Sequence, residues 1–192
     1  MANQAKTLNK KELRRVLDYI ATRRHAPRNR AMLLLTHYAG MRVGEVAALR
    51  YKDVVDANRR VKNEIRLDAF QTKGSHGRTV FIGDRLQKEL QGYVDSKSHH
   101  YSEAKLFYTQ KNLIDGFNSN TLTQHFFWLY KNAGIEGASS HSGRRSFATK
   151  LSECGVAPRI IMRAMGHKSL SSTMVYIDAN DEMLRNAVNG LK

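Results

Sequence analysis

The sequence predicts a mainly α-helical (α+β) fold: a helical bundle carrying one small antiparallel β-sheet near residues 60–82. Three observations lead to this. Apolar residues recur at spacings of three and four along most of the chain. Between residues 53 and 82 the pattern changes to β-rich runs, Val61, Ile65 and Leu67 and then Thr79, Val80, Phe81 and Ile82, separated by the glycine- and serine-bearing stretch from Thr72 to Gly77. No repeat, low-complexity tract or linker interrupts the 192 residues, which are 41% hydrophobic and 26% charged, so the chain reads as a single domain, 1–192, with a buried core.

Asn9 followed by Glu12 forms a capping-box pattern, and Leu13, Val16, Leu17 and Ile20 give residues 10–24 an apolar helical stripe that Pro27 ends. A second, largely apolar helix is expected over 30–38, stopped by Gly40, and a short one follows the stretch Met41-Arg42-Val43-Gly44-Glu45. After the hairpin, helix resumes over 84–96, and 97–101 reads as a loop. A further helix over 120–132 turns Leu122, Phe126, Trp128 and Leu129 inward and ends near Gly134. Residues 142–153 follow, with Phe147, Ala148 and Leu151 on one face and Gly155 as the stop. Pro158 then suits a helix start, and Ile160, Ile161 and Met165 run to Gly166. Helical segments over 169–177 and 181–188 complete the chain.

With 32 Lys or Arg against 17 Asp or Glu, the formal charge is +15. Such an excess calls for a polyanionic partner, nucleic acid first and an anionic membrane surface second. The apolar runs fall far short of the roughly 18 to 20 residues of a membrane span, and the N-terminus lacks an apolar signal region. Cys154 is the only cysteine, which excludes an intrachain disulfide and a cysteine-based zinc site. The histidines show no HExxH-type spacing, so no metal and no other cofactor is expected, and a reduced cytoplasmic location is the default. Residues 1–96 carry 20 basic and 10 acidic side chains and therefore supply most of the phosphate-facing charge.

Three clusters could carry chemistry. Arg42 lies between Gly40 and Gly44, with Glu45 one helical turn on. His141 and Arg144 share the first turn of a helix. His167 follows Gly166, and Tyr176 stands nine residues further on. Guanidinium groups bind phosphate oxygens bidentately and stay charged, so arginines and histidines converging on one point would form an oxyanion clamp. A tyrosine hydroxyl beside it makes a metal-free phosphoryl-transfer site. Tyrosine ordinarily ionises near pH 10, a deficit of about 4 kcal/mol at pH 7 that nearby cations or a base must offset.

The ordered pattern Ala39-Gly40-Met41-Arg42-Val43-Gly44-Glu45-Val46, Thr72-Lys73-Gly74, His141-Ser142-Gly143-Arg144, Met165-Gly166-His167 and Tyr176 resembles the tyrosine recombinases, or phage integrases. The resemblance covers about residues 8–186. It implies the catalytic-domain fold of that family and a metal-free DNA strand transfer. By similarity Arg42, His141 and Arg144 hold the scissile phosphate, and Tyr176 attacks it to give a 3′-phosphotyrosyl link. Lys73 protonates the departing 5′-oxygen, His167 hydrogen-bonds the phosphate or assists proton movement, and Glu45 orients the His and Arg side chains. Expected partners are double-stranded DNA, a homotetramer on two DNA sites, and accessory DNA-bending or directionality proteins. The rival readings are a catalytically inactive DNA-binding regulator of the same fold and a type IB topoisomerase.

Two departures from the family pattern stand out. Gly143 and Arg145 occupy positions where the family commonly has Leu and His. Gly143 is expected to weaken its helix by up to about 1 kcal/mol relative to Ala, and Arg145 to add a guanidinium for a neighbouring phosphate. Relatives also usually carry an N-terminal helical domain, or an arm-binding domain, so the chain is expected to be a stand-alone catalytic domain.

Plainer roles stand beside these. Arg42 could pair Glu45 on a solvated helix, His141 and Arg144 could form an exposed basic turn, and His167 could cap a helix. Tyr176 could be a half-buried core residue, and Lys73 competes with Lys62 and Arg78 for its place. Arg23, Arg24, Arg28 and Arg30 form either a solvated face or a DNA-backbone contact, which the net charge favours. His76 and Arg78 read as strand-flanking DNA contacts, and Cys154 as a small buried hydrophobe. The stripe Met183, Leu184, Ala187 and Val188 packs on its own domain or, as the resemblance implies, on a neighbouring protomer.

Overall fold

The computed structural model describes residues 5–72, 76–97, 102–109, 116–177, 185 and 188–190. Asn9 caps α1 (Lys10–Ala21) as the capping-box pattern requires: its side chain accepts from the Glu12 N–H at 2.9 Å, and its own N–H donates to the Glu12 carboxylate at 3.0 Å. Leu13, Val16 and Ile20 form the buried stripe of α1, which lies on α2 (Ala26–Tyr38). Pro27 does not break a helix, as the sequence reading expected, but sits in the first turn of α2. A proline there forfeits only an N–H that no helix carbonyl could accept.

α2 is buried along residues 31–36 and forms the centre of the bundle, with α1, α5 (Asp84–Asp95) and α7 (Ser142–Glu153) packed around it. The α2–α7 crossing is close. A Cβ added to Gly143 would stand 2.1 Å from Thr36 Oγ1, so glycine there is a packing requirement rather than a loss of hold on α7.

Between α2 and α5 come α3 (Val43–Ala48), α4 (Tyr51–Val54) and the two-stranded antiparallel sheet of β1 (Glu64–Leu67) and β2 (Arg78–Phe81). Ile65, Leu67 and Val80 face the core. A 3₁₀ turn, Ala69–Gln71, follows β1; the tip of the connection, with Lys73, lies outside the described residues.

α6 (Ser119–Asn132) buries Leu122, Phe126, Leu129 and Tyr130 against the core. Trp128 is 52% exposed, contrary to expectation, because two residues beyond Phe126 is about 200° around the helix. α8 (Pro158–Met165) buries Ile161 and Met165, four apart, which leaves Ile160 facing outward. Cys154, at the end of α7, is exposed rather than buried. α7, α8 and α9 (Ser171–Met174) enclose a second, smaller core of Ala148, Ile161 and Met165, against which Phe147, Leu151, Val156, Tyr176 and Ile177 pack. The expected helix over 181–188 lies almost wholly outside the described residues.

Candidate active site

α8 ends where Gly166 adopts a left-handed conformation at φ +62°, and the His167 N–H reaches back to the Met162 carbonyl at 3.0 Å. The last carbonyls of a helix have no donors within it. Here three arginines from three other segments take them. Arg78, which opens β2, donates Nη1 to the Ala164 carbonyl at 2.8 Å. Arg144, in the first turn of α7, donates to the Met165 carbonyl and, through its other terminal nitrogen, to the Gly40 carbonyl. Arg42, at the start of α3, donates Nη2 to the Gly166 carbonyl at 3.1 Å. All three cations thus face the negative end of the α8 dipole. A Cβ on Gly166 would lie 2.6 Å from Arg78 Cδ, so glycine serves both the turn and the passage of that side chain.

Glu45, only 1% exposed, ties two of these arginines together. Its Oε1 accepts from Arg42 Nη1 at 2.9 Å and Arg78 Nε at 3.1 Å. Its Oε2 accepts from the Arg42 N–H at 2.8 Å and Arg78 Nη2 at 2.7 Å. Burial opposes ionisation of this carboxyl, but the Arg78 hydrogen bond and charge, the Arg42 N–H and the Arg144 charge outweigh it and hold Glu45 below the usual carboxylate range. Burial, then the neighbouring Arg42, pushes the Arg144 guanidinium down to about 9 against the pull of Glu45, so it stays cationic at neutral pH. Three guanidiniums against one carboxylate leave this centre with two surplus positive charges. Each guanidinium has five N–H donors, so bonds to two carbonyls do not exhaust Arg144.

His167 lies directly beyond Gly166. Burial, then Arg144, Arg42 and Arg78, pushes its imidazole down to about 4, so the ring is neutral at pH 7. Its Nδ1 lies 2.9 Å from the hydroxyl of the buried Thr173. With the hydroxyl as donor, the proton resides on Nε2 and that nitrogen can donate to an oxyanion. The Tyr176 ring stacks on His167, centroids 5.8 Å apart and planes 24° from parallel. The Tyr176 hydroxyl is near enough to Arg144 for the two groups to interact electrostatically.

The sequence-derived residues therefore separate. Arg42, Glu45, Arg144, His167 and Tyr176 gather around the end of α8. His141 stands at the exposed start of α7, one turn before Arg144. Arg145 places its guanidinium carbon 5.5 Å from the Tyr176 centroid and donates Nε to Thr7 Oγ1 at 3.2 Å.

Arg78 turns inward, its side chain 9% exposed, rather than flanking the strand toward solvent. It pairs across the sheet with the buried Leu67 and lies two residues from the buried Val80, so strand alternation puts it on the core face. That alternation was the available signal for it. Thr173 had no comparable one. Arg28 is also buried, bonded to Asn29 and to the Tyr108 carbonyl, and Arg30 is paired bidentately with Glu89. Arg28 therefore presents no solvated cation, and Arg30, its side chain 38% exposed, has its charge taken up by Glu89, whereas Arg23, Arg24 and His76 are exposed. No described helix is long and apolar enough to cross a membrane.

The chain matches the phage integrase family over residues 6–183. It is 34% identical to tyrosine recombinase XerA of Thermococcus kodakarensis over 186 residues, 95% of this chain and 61% of that protein. The crystal structure of XerA recombinase superimposes with a TM-score of 0.75 at 26% identity, over 98% of this chain and 64% of the other. XerH site-specific recombinase, in a post-cleavage complex with a palindromic difH substrate, superimposes with a TM-score of 0.67 at 25% identity, over 96% and 52% of the two chains. The chain spans about three fifths of the XerA relative's length. A match over nearly all of the described fold, together with the ordered Arg, Gly-His and Tyr positions around α8, leads to one conclusion: the chain belongs to the phage integrase family of tyrosine recombinases.

Proposed function

We propose that the protein is a site-specific DNA recombinase that cleaves and rejoins strands through a 3′-phosphotyrosyl intermediate. The observation that carries this reading is the cluster at the end of α8, where Arg42 and Arg144 are held by main-chain carbonyls and Glu45 while Tyr176 packs beside them against His167. Donors fixed before reaction cost no reorganisation when charge develops on the phosphorus oxygens. The surplus positive charge matches a phosphodiester anion gaining the electron pair of a tyrosyl oxygen.

In the proposed reaction Tyr176 Oη attacks phosphorus and gives its proton to solvent, the bond to the 5′-oxygen breaks, and that oxygen receives a proton from Lys73. The products are a 3′-phosphotyrosyl ester and a free 5′-hydroxyl. Attack by a 5′-hydroxyl from a partner strand reverses these transfers, so bond energy is kept and no nucleotide cofactor is consumed. Neutral His167 acts through a hydrogen bond from Nε2, and His141 completes the clamp from the start of α7. Arg23, Arg24 and His76 supply phosphate contacts outside the centre. The similar XerH site-specific recombinase, held in a post-cleavage complex with a palindromic difH substrate, supports a substrate that is cleaved; for this chain that substrate is read as duplex DNA. The working assembly is a homotetramer on two DNA sites, with accessory DNA-bending or directionality proteins as further partners.

The test uses duplexes selected by the wild-type chain from a random-sequence pool at low salt. Exchange of strands between two labelled copies of a selected duplex is the expected result. Relaxation of supercoiled DNA without exchange would make the protein a topoisomerase. Selective binding without any covalent adduct would make it a regulator.

A further inference from the structure

Arg145 follows Arg144 on α7, and one residue is about 100° of helix. Arg144 therefore reaches the end of α8, whereas Arg145 reaches the stretch before α1 and the Tyr176 ring. That stretch is fastened on both sides of Thr7: the Lys6 N–H donates to the Gly137 carbonyl at 3.1 Å, and the Leu8 N–H to the buried Ser146 hydroxyl at 2.8 Å. A guanidinium whose Nε is tied to such an anchor has lost most of its freedom and presents a fixed plane.

From these contacts we propose that Arg145 is a positioning residue for Tyr176, its guanidinium held by Thr7 so as to fix the phenol ring, and that it is not a contact to the DNA backbone. The proposal rests on the reading of Tyr176 as the nucleophile. At 5.5 Å from the ring centroid the guanidinium lies within cation–π reach. The ring's other planar neighbour, His167, is held in the same manner by Thr173. Two planar groups, each anchored by a threonine hydroxyl, define where Tyr176 Oη stands relative to the arginine clamp. In-line attack is sensitive to about 1 Å of misplacement, so this orientation governs the rate of cleavage and not the affinity for DNA.

The experiment compares wild type, Arg145→Ala, Arg145→Lys and Thr7→Val on the selected duplexes. Arg145→Ala is expected to slow covalent adduct formation from the bound complex by at least about tenfold. Its affinity should stay within about threefold of wild type, with the salt dependence of binding unchanged. Arg145→Lys restores only part of the rate, because an ammonium lacks the flat face. Thr7→Val, which keeps the side-chain shape, gives a smaller loss that is not additive with Arg145→Ala. The defect persists on a substrate whose 5′-bridging oxygen is replaced by sulfur, a leaving group that needs no protonation.

A loss of affinity with the salt slope reduced by about one would make Arg145 a phosphate contact and overturn the proposal. So would recovery of the full rate on the sulfur substrate. Failure of the wild type to form any adduct would instead remove the proposed function. The ring contact is then judged alone from the ¹³C tyrosine signal of Tyr176 in the whole protein, assigned by its loss in Tyr176→Phe. That signal is expected to shift in Arg145→Ala and Thr7→Val, and an unmoved signal in both overturns the proposal.

Discussion

Arg78 grips Glu45 through both carboxylate oxygens, at 2.7 and 3.1 Å, from the start of the small sheet. The pair joins β2 to α3, and through Arg42 and the Ala164 carbonyl it also holds the end of α8. Because Glu45 is almost wholly buried, removing its charge leaves two arginines short of their partner. Glu45→Gln is expected to destabilise the fold by about 3 kcal/mol, read from urea denaturation, and to lower the rate of DNA cleavage. A loss below about 0.5 kcal/mol would mean that Glu45 does not organise the site.

Gly143→Ala sets two effects against each other. Alanine favours a helix over glycine by up to about 1 kcal/mol, but here the new methyl would stand 2.1 Å from Thr36 Oγ1. Overpacking of this kind costs about 1 to 3 kcal/mol, so net destabilisation is expected. Thr36→Ala in the same chain should recover most of it. A double-mutant cycle of melting temperatures checks the coupling.

Acid sensitivity should begin above the carboxylate range. Burial pushes His37 and His125 down to about 4, Arg85 and Arg28 respectively adding to the effect, and His167 falls to about 4 as well. An unfolded histidine titrates near 6.5. Between about pH 6.5 and 4 the unfolded chain therefore binds more protons than the native one, and stability falls as pH is lowered. Each buried histidine contributes at most about 1.4 kcal/mol per pH unit to this slope. Urea midpoints across this window check it, and His125→Gln should flatten the curve.

Binding to DNA should weaken by at least about tenfold between 50 and 200 mM salt. Arg23 and Arg24 are expected to contribute to this slope and Arg28 not to, since Arg28 is buried against Asn29 and Phe117. Arg24→Ala should lower the slope with little change in stability. Arg28→Ala should lower stability and leave the slope alone. The salt series measured on both variants separates the two roles.

Much of this arrangement was legible in the sequence, for reasons that are local. The Asn9–Glu12 box, the apolar stripes of α1 and α6, and the Gly166 stop each depend on a few adjacent residues. The order of Arg42, Arg144, His167 and Tyr176 carried the family. What escaped depends on partners distant along the chain. Arg28 resembled its exposed neighbours until the Tyr108 carbonyl and Phe117 were placed beside it. Gly143 looked like a weak helix residue until Thr36 was set against it. Arg78 could have been assigned inward from Val80, but its pairing with Glu45 needs the fold.

In the proposed reaction the attack on a phosphate held by Arg42 and Arg144 comes from Tyr176. Its most direct measurement is peptide mapping of the covalent adduct formed on a nicked duplex selected by the wild type. The nucleotide is expected on the peptide containing Tyr176, with no adduct from Tyr176→Phe although that variant still binds the duplex. A nucleotide on any other tyrosine, or an adduct that survives Tyr176→Phe, would contradict the assignment.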